Sequence, residues 1–169
     1  CGHLAAAREV RERSGCDRLV LLPASAPPHR PRPEASAADR LEMARRAVAD
    51  APGLEVDARE LERGAPSYTV DTLASFRREL GEAAALGLVI GADSLASLDA
   101  WDRWERLVAL AHLLVLDRPG SEPPRAGPVA EPLAGREVDE PGRLREAPAG
   151  ALWWVHQTPL DVSATEVRR

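Results

Sequence analysis

Lysine does not occur in this chain, and all 22 basic residues are arginine. That excludes a lysine nucleophile, a Schiff base and the lysine of a Walker-type P-loop. Any grip on phosphate therefore falls to Arg, His, hydroxyls and backbone N–H groups. Cysteine is nearly absent too. Cys1 and Cys16 give neither a disulfide framework nor metal-ligand spacing, and two ordinary thiols in a reducing cytosol are expected. No apolar run approaches the roughly 20 residues that cross a bilayer, and no signal peptide is visible, so a cytoplasmic protein with no membrane partner is expected. A net charge of −5 argues against indiscriminate nucleic-acid binding. A serine-hydrolase elbow of the G-x-S-x-G type is missing, since Gly91-Ala92-Asp93-Ser94 does not supply one. No metal cage is visible either.

What is present suits a packed domain. The chain has 169 residues, 44% of them hydrophobic, which is enough for a core. With no internal repeat or low-complexity tract, a single domain over 1–169 is expected. Helical periodicity alternates with short apolar runs, the pattern of a parallel α/β sheet. Helices are predicted over 3–14, from Ser36 to about Asp50, from near Ser67–Thr69 onward, and over 101–110. Ser36 and Asp39 form a capping-box pattern. Strands are predicted at 18–22, 54–57, 86–90, 112–116 and 152–157. The segments 24–33, 60–66 and 117–148 read as loops. Adjacent Trp153 and Trp154 face opposite sides of a strand and read as core or surface cover. His112 and His156 read as structural.

In open α/β sheets, ligands sit past the carboxyl ends of the strands. Four groups fall there: 24–30, Gly91-Ala92-Asp93-Ser94, Arg118, and Ser163 to Arg168. His3, at a helix start, joins the same edge if a strand precedes it. A helix N-terminus carries free N–H donors and partial positive charge, so Gly2-His3 and Ser163-x-Thr165-x-x-Arg168 both read as anion-holding ends. Two such ends suggest a polyphosphate ligand. Each residue also has a plain reading. Asp93 can be a helix cap, His29 a solvated loop residue, His3 a surface N-cap, and Ser163, Thr165 and Arg168 a cap with a surface charge. Trp101 and Trp104, at i and i+3, can be packing residues.

Gly2-His3-Leu4, Pro27-Pro28-His29-Arg30, Ala65-Pro66-Ser67-Tyr68-Thr69, Ile90-Gly91-Ala92-Asp93-Ser94-Leu95 and Ser163-Ala164-Thr165-Glu166-Val167-Arg168 occur in this order over essentially the whole chain. Together they resemble the bacterial nicotinate-nucleotide adenylyltransferases of the nucleotidyltransferase superfamily. The resemblance implies a Rossmann-like parallel sheet with helices on both faces. It also implies attack of nicotinate mononucleotide on the α-phosphorus of ATP, giving deamido-NAD and pyrophosphate. On that resemblance His3 and Arg168 would be catalytic. Gly2, His3, Gly91, Asp93, Ser163, Thr165 and Arg168 would bind ATP, and His29, Tyr68, Thr69, Trp101 and Asp102 would bind nicotinate mononucleotide. Mg²⁺ would bridge ATP phosphates rather than sit in a protein cage. A homo-oligomer is compatible with the resemblance, and acid is expected to be preferred over amide at the pyridine.

The family pattern also holds a first strand and a Gly-rich turn, G-G-T-F-D-P-x-H, before the position of Gly2, and helices after Arg168. Neither is in this chain. The 169 residues are therefore expected to be a piece of the enzyme, with the first strand missing. Alone they should be nearly inactive and poorly stable, because the sheet would lack its middle. At Ala24-Ser25 relatives often carry Asn, so no substrate role is expected there. Two alternatives stand beside this reading. Pantetheine-phosphate adenylyltransferase shares the ATP half, but Pro27-Pro28-His29-Arg30 and Pro66-Ser67-Tyr68-Thr69 count against it. A non-catalytic nucleotide-binding module is the other.

Overall fold

The computed structural model describes residues 2–24, 35–63, 66–117, 123–124 and 126–156. They fall into two compact units, divided between Ser67 and Tyr68.

The first unit opens with helix α1 (Gly2–Ser14), which buries Ala7, Val10 and Ser14. This 3–4 spacing is the one expected for a helix lying on a sheet. Gly15 ends it at a φ of 62°, its N–H donating to the Arg11 carbonyl, a left-handed stop that glycine adopts without strain. Strand β1 (Leu19–Leu21), helix α2 (Ala37–Val48) and strand β2 (Leu54–Val56) follow, and the two strands pair in parallel with Leu19 opposite Leu54. Ser36 caps α2 by accepting the Asp39 N–H at 3.1 Å, as its sequence pattern predicts. Leu41, Ala44 and Val48 are half-buried. Ala7, Ala51 and Leu54 make a small core, with Leu4, Leu19, Leu21 and Val48 against it. Gly53 has a φ of 75°, and a side chain there would overlap the Arg11 guanidinium.

The expected loop at 60–66 contains a short helix instead, α3 (Arg59–Glu62). Asp57 accepts both the Arg59 backbone N–H (2.8 Å) and its guanidinium (2.6 Å), which organises the chain just past β2. The hydrogen bond from Arg59 holds the Asp57 carboxyl below its ordinary range, against the opposing pull of burial.

The second unit runs α4 (Thr69–Leu80), β3 (Gly87–Gly91), α5 (Ala92–Ala96), a 3-10 turn at Leu98–Ala100, a second at Trp104–Arg106, α6 (Leu107–Leu110), β4 (His112–Leu116), α7 (Ala130–Leu133), a third 3-10 turn at Pro141–Arg145, and β5 (Leu152–Val155). Strands β3, β4 and β5 pair in parallel in that order, with Ile90 opposite Val115 and Val115 opposite Trp154. Four of the five residues of β4, and all four of β5, are buried. This explains why they read as unbroken apolar runs rather than as alternating strands. One cluster, including Val70, Leu73, Ile90, Leu95, Leu98, Leu107, Leu113 and Trp154, forms the core. Trp153 and Trp154 are both buried.

The predicted helix over 101–110 does not form as one element. Trp101 is extended (φ −85°, ψ 144°) and Arg103 is left-handed (φ 49°), so helix starts only at Trp104. The two tryptophans therefore do not share a helix face by i, i+3 spacing, although both pack half-buried against the core. The segment expected as loop at 117–148 also carries α7 and a 3-10 turn.

Two polar side chains knit this unit. His112 accepts the Ala151 N–H at Nδ1 (3.0 Å), so its Nε2 carries the proton that it donates to the Ala147 carbonyl (2.9 Å). Its role is structural, as its sequence context suggests. The Arg77 guanidinium donates to five backbone carbonyls, those of Gly81, Glu82, Ala84, Leu110 and Pro148. Arg77→Met keeps the apolar stem and removes every donor. It should cost about 2–3 kcal/mol, because several carbonyls lose their partner together; urea unfolding measures this, and a loss below about 0.5 kcal/mol would show that water replaces the guanidinium without penalty.

Candidate functional site

The sequence-predicted site residues divide between the two units. In the first, Gly2 and His3 form the opening turn of α1. His3 is exposed, and a side chain added at Gly2 would meet only open space. The first turn holds no acidic residue, so nothing on the helix itself offsets its positive end. His29, Ser163, Thr165 and Arg168 lie outside the described residues.

In the second unit, Gly91 ends β3 and Asp93 stands exposed one residue into α5, at the carboxyl edge of the sheet. Asp117 follows β4 and His156 follows β5 on the same edge, with His156 Nδ1 at 2.5 Å from Asp117 Oδ2. Tyr68 and Thr69 start α4. Tyr68 is exposed, and its carbonyl accepts the N–H groups of Asp71 (3.0 Å) and Thr72 (3.2 Å). The N–H groups of Thr69 and Val70, ahead of those two, have no intrahelical acceptor.

Trp101 and Asp102 stand on the turn that interrupts the expected helix. The Trp101 N–H is held by the Leu98 carbonyl at 3.0 Å, while the Asp102 N–H meets no acceptor among the described residues. A half-buried indole beside a free backbone donor can receive a flat ring that bears a carboxylate. Tyr68, Thr69, Trp101 and Asp102 are thus placed in one compact unit, with Gly91 and Asp93.

Sequence reasoning missed the residue that joins these segments. The Arg103 guanidinium reaches Asp71 of α4 (2.8 Å) and Asp102 (2.6 Å). Hydrogen bonding to Asp71, then to Asp102, raises its pKa above the usual arginine value, so it stays a cation throughout. Opposite charges at 71 and 103 are visible in the sequence, but nothing local there marks a turn at Arg103. Among the described residues no group of three or more His, Cys, Asp or Glu converges as a metal cage, and no helix is long and apolar enough to cross a membrane.

The cytidylyltransferase-like family matches the chain over residues 1–169. A protein of Halorhodospira halophila (strain DSM 244 / SL1), named "Probable nicotinate-nucleotide adenylyltransferase", is 47% identical over 168 residues, covering 99% of this chain and 77% of its own. Proteins of the same name from Pseudomonas putida (strain W619; 48% over 168 residues, 99% and 76%) and Pseudomonas aeruginosa (strain UCBPP-PA14; 47% over 169 residues, 99% and 78%) agree. The chain belongs to the nicotinate-nucleotide adenylyltransferases, within the cytidylyltransferase-like family.

Membership accounts for the fold. Nucleotidyltransferases of this kind use a parallel α/β sheet, and every strand pair among the described residues is parallel. For a nicotinate-nucleotide adenylyltransferase, the tryptophan-bearing turn and the start of α4 carry residues that the resemblance assigned to the pyridine end, and they lie in the same unit.

Proposed function

We propose that the protein transfers AMP from ATP to nicotinate mononucleotide, releasing pyrophosphate and forming deamido-NAD. The observation that carries this reading is identity of 47–48% across 99% of the chain to proteins named for that reaction. The acceptor phosphate is already a nucleophile, so the enzyme needs neither a general base nor a covalent intermediate. Its task is to align two nucleotides and balance charge that moves onto the departing pyrophosphate.

His3 donates to phosphate oxygens as that charge grows. Gly2 lets the backbone approach them closely. Ser163, Thr165 and Arg168 hold the β- and γ-phosphates, and Arg168 acts with His3 in the transition state. Gly91 and Asp93 meet the adenosine side. His29, Tyr68, Thr69, Trp101 and the Asp102 N–H receive the mononucleotide. Mg²⁺ would be carried in by the ATP phosphates and would supply neutralising charge to them. The partners are these two nucleotides, and a homo-oligomer is compatible with this reading. The 169 residues are proposed to act as one domain.

The Asp102 N–H, which meets no acceptor among the described residues, and the Tyr68–Thr69 donors suit a carboxylate and mismatch an amide, whose NH₂ would face a donor. The cost of that mismatch is about 1–3 kcal/mol, roughly tenfold in kcat/KM for each 1.4 kcal/mol. Pyrophosphate release with ATP and either nicotinate or nicotinamide mononucleotide tests this in the enzyme expressed from its full reading frame. Acid should win by about fivefold to 150-fold. Equal values would remove the specificity argument, and no release with either acceptor would remove the reading itself.

A further inference from the structure

We infer that Arg103 is a positioning residue for the mononucleotide, locking together the two segments that receive the pyridine; this rests on the function proposed above. The first observation is conformational. Arg103 is the only non-glycine residue with positive φ among the described residues (φ 49°). A side chain in the left-handed region is strained, and it persists where surrounding contacts hold it. A turn needing only that geometry would be served better by glycine.

The second observation supplies the compensation. One guanidinium bridges Asp71 Oδ2 at 2.8 Å and Asp102 Oδ2 at 2.6 Å. Asp71 lies in the first turn of α4, two residues beyond Thr69. Asp102 supplies the backbone N–H assigned to the carboxylate. The bridge therefore ties the Tyr68–Thr69 donors to the Trp101–Asp102 turn, two segments more than 30 positions apart in sequence. A planar, forked cation can hold two carboxylates at once, which a single ammonium point charge does less well. Because both carboxylates neutralise it, Arg103 acts through geometry rather than by attracting the substrate's charge.

The substitutions separate backbone from bridge. Arg103→Gly accepts the same φ without strain and removes only the link. Asp71→Asn removes one carboxylate and leaves the turn residue in place. Steady-state kinetics in the enzyme expressed from its full reading frame should show the KM for nicotinate mononucleotide rising about fivefold or more in Arg103→Gly. The KM for ATP should stay within about twofold and kcat should change less than KM, because the bridge joins residues assigned to the mononucleotide and none assigned to ATP. The acid-to-amide ratio of kcat/KM should fall with it. Asp71→Asn should act in the same direction, the double variant should be no worse than the more affected single one, and Arg103→Lys should recover part of the loss.

A folded Arg103→Gly protein with unchanged mononucleotide KM and unchanged acid-to-amide ratio would overturn the proposal. So would equal rises in both KM values, which mark a general loss of structure. Should Arg103→Gly fail to fold, Asp71→Asn decides by the same two readouts. Failure of the underlying function shows differently: the unsubstituted enzyme would then not adenylylate nicotinate mononucleotide, and the positioning proposal would fall with it.

Discussion

Replacing His3 with alanine should lower kcat for adenylyl transfer by about 10²–10³-fold, the usual cost of removing one preorganised donor to a transition-state oxyanion. The acceptor is an anion already, so the barrier lies in bringing two phosphates together and in charge passing to pyrophosphate. A donor at the opening of α1 gains strength as that charge grows, and a loss confined to the transition state appears in kcat rather than in KM. His3 is exposed and belongs to no core cluster among the described residues. Its removal should therefore leave stability within about 0.5 kcal/mol. Single-turnover rates at saturating ATP and mononucleotide, beside a melting curve, check both halves. Retention of kcat within about threefold would take His3 out of the reaction.

Leu113→Ala should cost about 2–5 kcal/mol of stability. Leu113 is 0% exposed and sits in β4, the middle strand of the three-stranded sheet, between Leu88 of β3 and Leu152 of β5. A cavity there has β-strands on both sides. Strands fixed by ladder hydrogen bonds relax poorly into an empty volume, so the upper half of the range is expected. Leu113→Met conserves most of the volume and should cost less than about 1.5 kcal/mol. Leu80→Ala, at an exposed position near the end of α4, should be nearly neutral. Urea unfolding of the three variants gives the comparison. Equal losses for Leu113→Ala and Leu80→Ala would mean that the sheet core does not govern unfolding.

The elements that were legible in the sequence share one property: their signal is local. The apolar run His112–Leu116 marked a buried strand with both bounds correct. Ser36 and Asp39 marked the start of α2. A start near Ser67–Thr69, with Val70, Leu73, Phe76 or Arg77, and Leu80 at helical spacing, marked α4, in which Val70, Leu73 and Phe76 are buried and Leu80 is exposed. The failure at 101–110 has an equally physical cause. Its residues have helical composition, and no glycine or proline interrupts them. The interruption starts at Trp101, which is extended, and continues at Arg103, which is left-handed and whose guanidinium meets carboxylates at 71 and 102, one of them on another helix. Composition carries no record of such a pairing. Likewise, α3 inside an expected loop owes its start to the contact of Asp57 with Arg59, a short-range bond whose formation propensity alone does not reveal.

The family, the alternation of helices with apolar parallel strands, and the residue types available for phosphate are legible along the chain. Each of these is written in periodicity or in contiguous motifs. Folding adds the Arg103 link to Asp71 and Asp102, the Arg77 guanidinium among backbone carbonyls, and the turn in the tryptophan segment. Those outcomes depend on groups far apart along the chain, whose hydrogen bonds and ion pairs exist only after folding has brought them within reach.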